Sequence, residues 1–329
     1  MKKTAGLFLL AVFILFLSCI VSLILGPANI SVKDVFHSLL NPDINSTTSM
    51  IIWQIRLPRL ILGLLVGAGL SVCGAALQAM LRNSLAEPYT LGISSGAALG
   101  VTLALIMNLT GFFLPVFAFI GSALSTILVY SIASWKRFTN STLILSGVIL
   151  NAFLSSLVLL LFGVLKSSKV HSTIIWLMGD LSAVLQPQLK FAAIFIITGI
   201  ALLIILSRDI DILALGDEKA LYLGIDAEVM KKIIFILVSL VTGACVAISG
   251  IIGFVGLLIP HFARSIIGCR NRMLLPFAAI TGAAFIGFCD SLSRVIIAPL
   301  ELPVGVITGI FGGLFFLLLL IKAKKWEIF

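Results

Sequence analysis

Ten runs of apolar residues, separated by short polar breaks, make up most of this chain. They lie at roughly 5–26, 57–81, 91–109, 112–134, 142–165, 189–207, 231–250, 254–268, 274–297 and 304–321. Most approach about 20 residues, the length a helix needs to cross the hydrocarbon core of a bilayer. Runs of that length make the spanning elements helices rather than barrel strands. The pattern predicts an all-α, polytopic membrane protein with about ten transmembrane helices. The breaks are too short to hold a second folded unit, so residues 1–329 read as one transmembrane domain.

One stretch departs from the pattern. Between Arg208 and Lys232 the chain reads RDIDILALGDEKALYLGIDAEVMKK and holds six of the thirteen acidic residues: Asp209, Asp211, Asp217, Glu218, Asp226 and Glu228. Gly216 and Gly224 flank an apolar–acidic–apolar segment, and Gly224 offers the left-handed cap that turns a chain back on itself. The residues alone leave two readings, a short surface helix or a solvated loop.

Composition confirms the class. Hydrophobic residues make up 60% and charged residues 11%, against about 45–50% and about 25% in soluble domains. The net charge of +9 forms no basic face for nucleic acid, because Lys and Arg sit at the ends of apolar runs. With the N-terminus inside, Lys2, Lys3, Arg82, Lys136, Arg137, Arg208, Lys219, Lys231, Lys232, Arg264, Arg270, Arg272, Lys322, Lys324 and Lys325 face the cytoplasm. Those are 15 of the 22 basic residues; Lys33, Arg56, Arg59, Lys166, Lys169, Lys190 and Arg294 are the seven outside. That asymmetry predicts an even number of spans with both termini, and the polar island, cytoplasmic. The N-terminal run is longer than the apolar core of a signal peptide and is read as a retained first helix. Five scattered cysteines show no metal-binding spacing and read as small apolar filler.

Small residues predict how the helices pack. Gly92, Gly96 and Gly100 recur every four residues, as do Gly305, Gly309 and Gly313, each set forming a close-packing stripe. Gly67-Ala68 with Gly74 recurs as Gly243-Ala244 with Gly250 at an offset of 176. The two copies run in opposite directions, which predicts an inverted repeat of the kind transporters use.

Candidate chemistry is sparse. No GxxxxGK[ST] phosphate loop is present in the sequence, so energy from ATP has to come from another chain. Nor is there an HExxH or GxSxG motif. Asp290 is the only acid well inside an apolar run, with Arg294 one helical turn on to pair with it. A self-sufficient secondary carrier or channel is the rival from another class, and a proton-coupled one calls for more buried ionisable groups. His171 and His261 are isolated histidines; the latter reads as a helix-end contact.

Residues 56–100, RLPRLILGLLVGAGLSVCGAALQAMLRNSLAEPYTLGISSGAALG, then 249–268, SGIIGFVGLLIPHFARSIIG, and 301–313, ELPVGVITGIFGG, together resemble one family. RLPR, N-x-LAEP, GFVGLLIPH and ELPVG in this order are similar to the permease subunits of FecCD-type ABC importers for iron–siderophore complexes, haem and vitamin B12. The likeness covers nearly the whole chain. Ser84 departs from it, standing where proline is usual in N-P-LAEP.

The resemblance implies a bacterial cell-membrane permease, half of a two-permease core, for an iron chelate. The partner permease is then a second copy or a different chain. It implies cytoplasmic ATPase subunits carrying ATP and Mg, an extracytoplasmic substrate-binding protein, and no cofactor in this chain. Segment 208–229 matches the family's coupling helices, with Leu215, Gly216, Asp217, Glu218, Ala220, Leu223 and Gly224 as ATPase-coupling residues. Arg56, Arg59 and Arg294 match the positions that meet carboxylates of the binding protein. Arg56 and Arg59 also read as interfacial anchors, and Asp290 competes for Arg294. Asn83 with Leu85, and Asn140 with Ser141, match cytoplasmic gate positions.

Overall fold

In the computed structural model, residues 2–28, 30–41, 46–136, 138–182 and 186–322 are described. Arg137, Lys324 and Lys325, counted above among the inward charges, lie outside them. The helices are α1 (Lys2–Ile24), α2 (Val32–Leu40), α3 (Thr47–Met50), α4 (Leu57–Leu81), α5 (Ile93–Ile106), α6 (Phe113–Lys136) and α7 (Asn140–Val164). They continue with α8 (Ser167–Leu177), α9 (Gln186–Ile205), α10 (Ser207–Ala214), α11 (Asp217–Tyr222), α12 (Ala227–Ser249), α13 (Val255–Ile267), α14 (Asn271–Ser293) and α15 (Val304–Lys322). Seven helices among the described residues are long and apolar enough to cross a membrane, and three shorter apolar ones (93–106, 255–267 and 304–319) accompany them. Each falls on one of the ten predicted runs.

Burial sorts these helices into two shells. The most apolar windows of α4, α12 and α14 are 78%, 72% and 61% buried, whereas those of α1, α6, α7 and α9 are 22–33% buried. The outer helices turn side chains such as Phe13, Phe16, Leu124, Ile127, Phe153 and Leu160 outward. In lipid such side chains cost nothing to expose, so the apolar surface belongs to the bilayer. The inner helices are rich in small residues because they must approach one another. A Cβ on Gly67 would lie 2.3 Å from the carbonyl oxygen of Gly282, which fixes where α4 crosses α14.

The sequence repeat reappears as a reciprocal contact. Gly67 of α4 abuts α14, while its counterpart Gly243 of α12 faces Ser122 of α6, with 2.6 Å from an added Cβ to the hydroxyl oxygen. Each half thus lends its inner helix to the other. The glycine stripes are only partly packing devices. Gly96 and Gly100 lie tight against Gly121 and Phe117 of α6, and Gly305 against the Met178 and Ile251 carbonyls. Gly309 and Gly313 have open space around them, contrary to expectation, because that face of α15 has no neighbour among the described residues.

The structure adds three features. A π-helical turn (Ile51–Arg56) fuses α3 to α4, making one 35-residue helix from Thr47 to Leu81. The predicted start at 57 was therefore about ten residues late. The polar island folds as two short helices, α10 and α11, hinged at Gly216 with φ +112°. Finally, α5 and α13 hold only 14 and 13 residues. At 1.5 Å per residue each is about 20 Å long, short of the roughly 30 Å hydrocarbon core. The balance is made by segments outside the α-helices: 82–92, which holds the 3₁₀ turn Pro88–Leu91, and 250–254.

Candidate functional site

At one end of the bundle the island lies across the tips of the inner helices. α10 follows α9 almost without interruption and buries Ile210 and Leu213 in the core, leaving Arg208 exposed and Asp209 and Asp211 half-buried. α11 buries Ala220 and presents the rest of its apolar residues outward. Leu215, Leu221, Tyr222 and Leu223 are 54%, 70%, 90% and 57% exposed. Gly224, at φ +82°, ends the helix as predicted. Four large apolar side chains thus stand exposed on an otherwise charged segment, the kind of patch a protein contact covers.

The six acids divide by role. Asp211 accepts hydrogen bonds from both the backbone N–H and the side-chain amide of Asn271, each at 2.8 Å, at the start of α14. Asp217 pairs with Lys231 of α12 at 2.6 Å. Asp226 caps α12 by accepting from the amides of Glu228 and Val229, and Glu228 pairs with Lys232. Asp209 and Glu218 make no ion pair or hydrogen bond among the described residues, and Glu218 is exposed.

Both candidate gate segments lie at the end of α4. The Asn83 side-chain oxygen accepts from the Leu85 amide at 2.9 Å, a turn that leaves Leu85 48% exposed. The Asn140 amide donates to the Leu81 carbonyl at 3.0 Å, closing the free end of α4. Ser141 follows, exposed, in the first turn of α7. His261 lies edge-on against Phe315 and Phe316, a contact between α13 and α15.

At the opposite end, Arg59 and Arg294 both pair with Asp290, and Arg56 is buried nearby. Arg59 donates from its Nε to Asp290 at 2.8 Å and from a terminal nitrogen to Glu301. Arg294 pairs with the second Asp290 oxygen at 3.1 Å and donates to the carbonyl and hydroxyl of Ser22. Arg56 donates to the Leu23, Ile24 and Ala28 carbonyls, capping α1 where its last carbonyls lack helical partners. All three guanidiniums are buried, and Glu301, at 34% exposure, is the most accessible charge of the group. Sequence reasoning placed the Asp290–Arg294 pair and named Arg59 as a candidate, but it missed the pairing of Arg59 with Asp290. The reason is the continuous helix through residue 56, which carries both arginines inside the bundle instead of leaving them at a helix mouth.

Between the two ends lies a junction that the sequence reading did not find. The non-helical segments 82–92 and 250–254 meet, and side chains of the first satisfy the backbone of the second. Glu87 accepts from the Phe254 N–H at 2.8 Å, and the Tyr89 hydroxyl accepts from the Ile252 N–H at 3.3 Å. Phe254 has φ +68°, strained for a residue with a side chain, and its Cβ fits where α15 has Gly312. Non-helical backbone survives in a membrane when it is enclosed by protein in this way. The one available signal was a lone acid, Glu87, between two apolar runs.

Residues 14–322 match the FecCD transport family. The chain is 40% identical to the uncharacterised ABC transporter permease protein YvrB of Bacillus subtilis, over 97% of this chain and 92% of the relative. It is 37% identical to the hemin transport system permease protein HmuU of Yersinia pestis, over 93% and 94%. It is 36% identical to YfmD, a permease protein of the Fe(3+)-citrate import system of B. subtilis, over 97% and 95%. Among solved structures, an inward-facing ABC transporter described as metal-chelate type superposes with a TM-score of 0.86. The identity is 30%, covering 98% of this chain and 99% of that one.

Proposed function

The chain belongs to the FecCD transport family, and from that premise we propose that it carries an iron–siderophore complex across the bacterial cell membrane. It is an ABC importer permease, and a permease moves its cargo with energy supplied by ATPase subunits. The observation that carries the finer reading is the full-length similarity to permeases named for Fe(3+)-citrate import and for iron uptake. In this reading two permeases, identical or different, frame the pathway. An extracytoplasmic binding protein delivers the chelate, and ATP and Mg bind on the ATPase subunits.

The island is the docking site for the ATPase, on the cytoplasmic side with both chain termini. Leu215, Leu221, Tyr222 and Leu223 supply the apolar contact, Glu218 supplies charge, and Gly216 and Gly224 set the shape. ATP binding by the docked ATPase subunits shifts the pathway between outward-open and inward-open forms, with Asn83, Leu85, Asn140 and Ser141 at its cytoplasmic mouth. At the outer end, the binding protein's carboxylates exchange with Glu301 for the arginine cluster, an arrangement that suits the guanidinium's fixed donor fork.

Reconstitution in liposomes tests the reading. Uptake of a ferric siderophore is expected only when the ATPase subunits, ATP and the binding protein are all present. Uptake by the chain alone would make it a self-sufficient carrier. Run with haem and cobalamin, the same assay rejects the siderophore if one of those is taken up instead.

A further inference from the structure

Within the docking reading just given, two of the island's acids have a task distinct from meeting the partner. Lys231 is 3% exposed, and Asp217 is its ion-pair partner at 2.6 Å. The buried ammonium ties the first residue of α11 to the second turn of α12. Asp211 holds α10 to the first residue of α14 by two hydrogen bonds of 2.8 Å to Asn271. Between the two short helices, a Cβ added at Gly216 would sit 3.1 Å from a guanidinium nitrogen of Arg82, the residue that ends α4. The island is thus fastened to α12 and α14 and lies against the end of α4, while Leu215, Leu221, Tyr222 and Leu223 stay exposed.

We infer that Asp217 and Asp211 are positioning residues for transport: they convert movement of the docked α10–α11 unit into movement of α12 and α14. A surface that only received a partner would need no such anchors. Lys231 is buried although Asp217 is 50% exposed, so separating the pair strands the ammonium, and this favours the linked geometry. α12 then leads into segment 250–254, whose amides are held by Glu87 and Tyr89, so the anchored helix runs from the island to the central junction.

The test uses the assembled transporter with its ATPase subunits and two readouts: retention of the ATPase on purification, and ferric siderophore moved per ATP hydrolysed. Asp217→Asn is expected to retain the ATPase like the wild type but to lose about tenfold in transport per ATP, within the usual range of coupling free energies. Asp217→Glu should restore coupling, as should the reversed pair Asp217→Lys with Lys231→Asp. Asp211→Ala should behave as Asp217→Asn does. Loss of ATPase retention in Asp217→Asn, with full coupling in the complexes that remain, would make Asp217 a partner contact and overturn the inference. So would unchanged coupling. Failure of the docking reading itself looks different: Tyr222→Asp would then leave ATPase retention intact.

Discussion

The amide of Phe254 donates to the carboxylate of Glu87 across 2.8 Å, joining residues 167 positions apart where two membrane helices are interrupted. The bond is costly to lose, because Phe254 lies in a loop whose amides have no helical carbonyl to use. Glu87→Ala is expected to destabilise the fold by about 1–3 kcal/mol, the usual cost of an orphaned buried donor. Glu87→Gln keeps an acceptor oxygen and should lie close to the wild type. Thermal unfolding in detergent checks both, and equal melting temperatures for Ala and wild type would refute the bond's importance.

Asp290 and Glu301 both touch Arg59 but differ in exposure, at 2% and 34%. Removing Asp290 leaves two buried guanidiniums short of a counter-charge, at a cost of about 3–5 kcal/mol. Glu301→Ala breaks a partly exposed pair, which is worth about 1 kcal/mol or less. The folded yield of Asp290→Ala should therefore fall far below that of Glu301→Ala. Equal yields would mean that the outer cluster is solvated.

Close approach predicts a second contrast. Gly67→Ala places a methyl 2.3 Å from the Gly282 carbonyl and forces α4 away from α14. Overpacking of this kind costs about 1–3 kcal/mol. Gly309→Ala meets nothing within 4 Å and should leave the melting temperature unchanged.

Topology can be read from Cys269. It is exposed in the turn between α13 and α14, at the island's end of the bundle, whereas Cys73, Cys245 and Cys289 are buried. A membrane-impermeant maleimide should label Cys269 in inside-out vesicles and not in intact cells. Labelling from outside would reverse the orientation proposed for the whole chain.

The sequence made most of the architecture legible, and the reasons are physical. Spans are written in runs of apolar residues because lipid enforces length, so all ten appeared. The island was visible because charge is rare in such a chain. Its division into α10 and α11 was not, since Gly216 reads equally well as a cap or a hinge. Arg56 and Arg59 were found as candidates, yet their burial depended on α3 fusing with α4, which hydropathy does not reveal. The Glu87 junction was hidden because its partner is a backbone amide, and a backbone amide leaves no mark in a sequence.

The separation of 231 positions between Arg59 and Asp290 has a consequence for synthesis. At about 5–20 residues per second, Arg59 enters the bilayer roughly 10–45 s before its buried carboxylate exists. Through that interval the guanidinium and the glycine face of α4 have no protein partner. They must be sheltered by lipid headgroups or by the insertion machinery, until α14 emerges as the ninth of the ten apolar helices and locks the first half in place. Biogenesis of this permease is therefore most vulnerable late, and a chain truncated before α14 would be expected to insert its early helices and then be degraded.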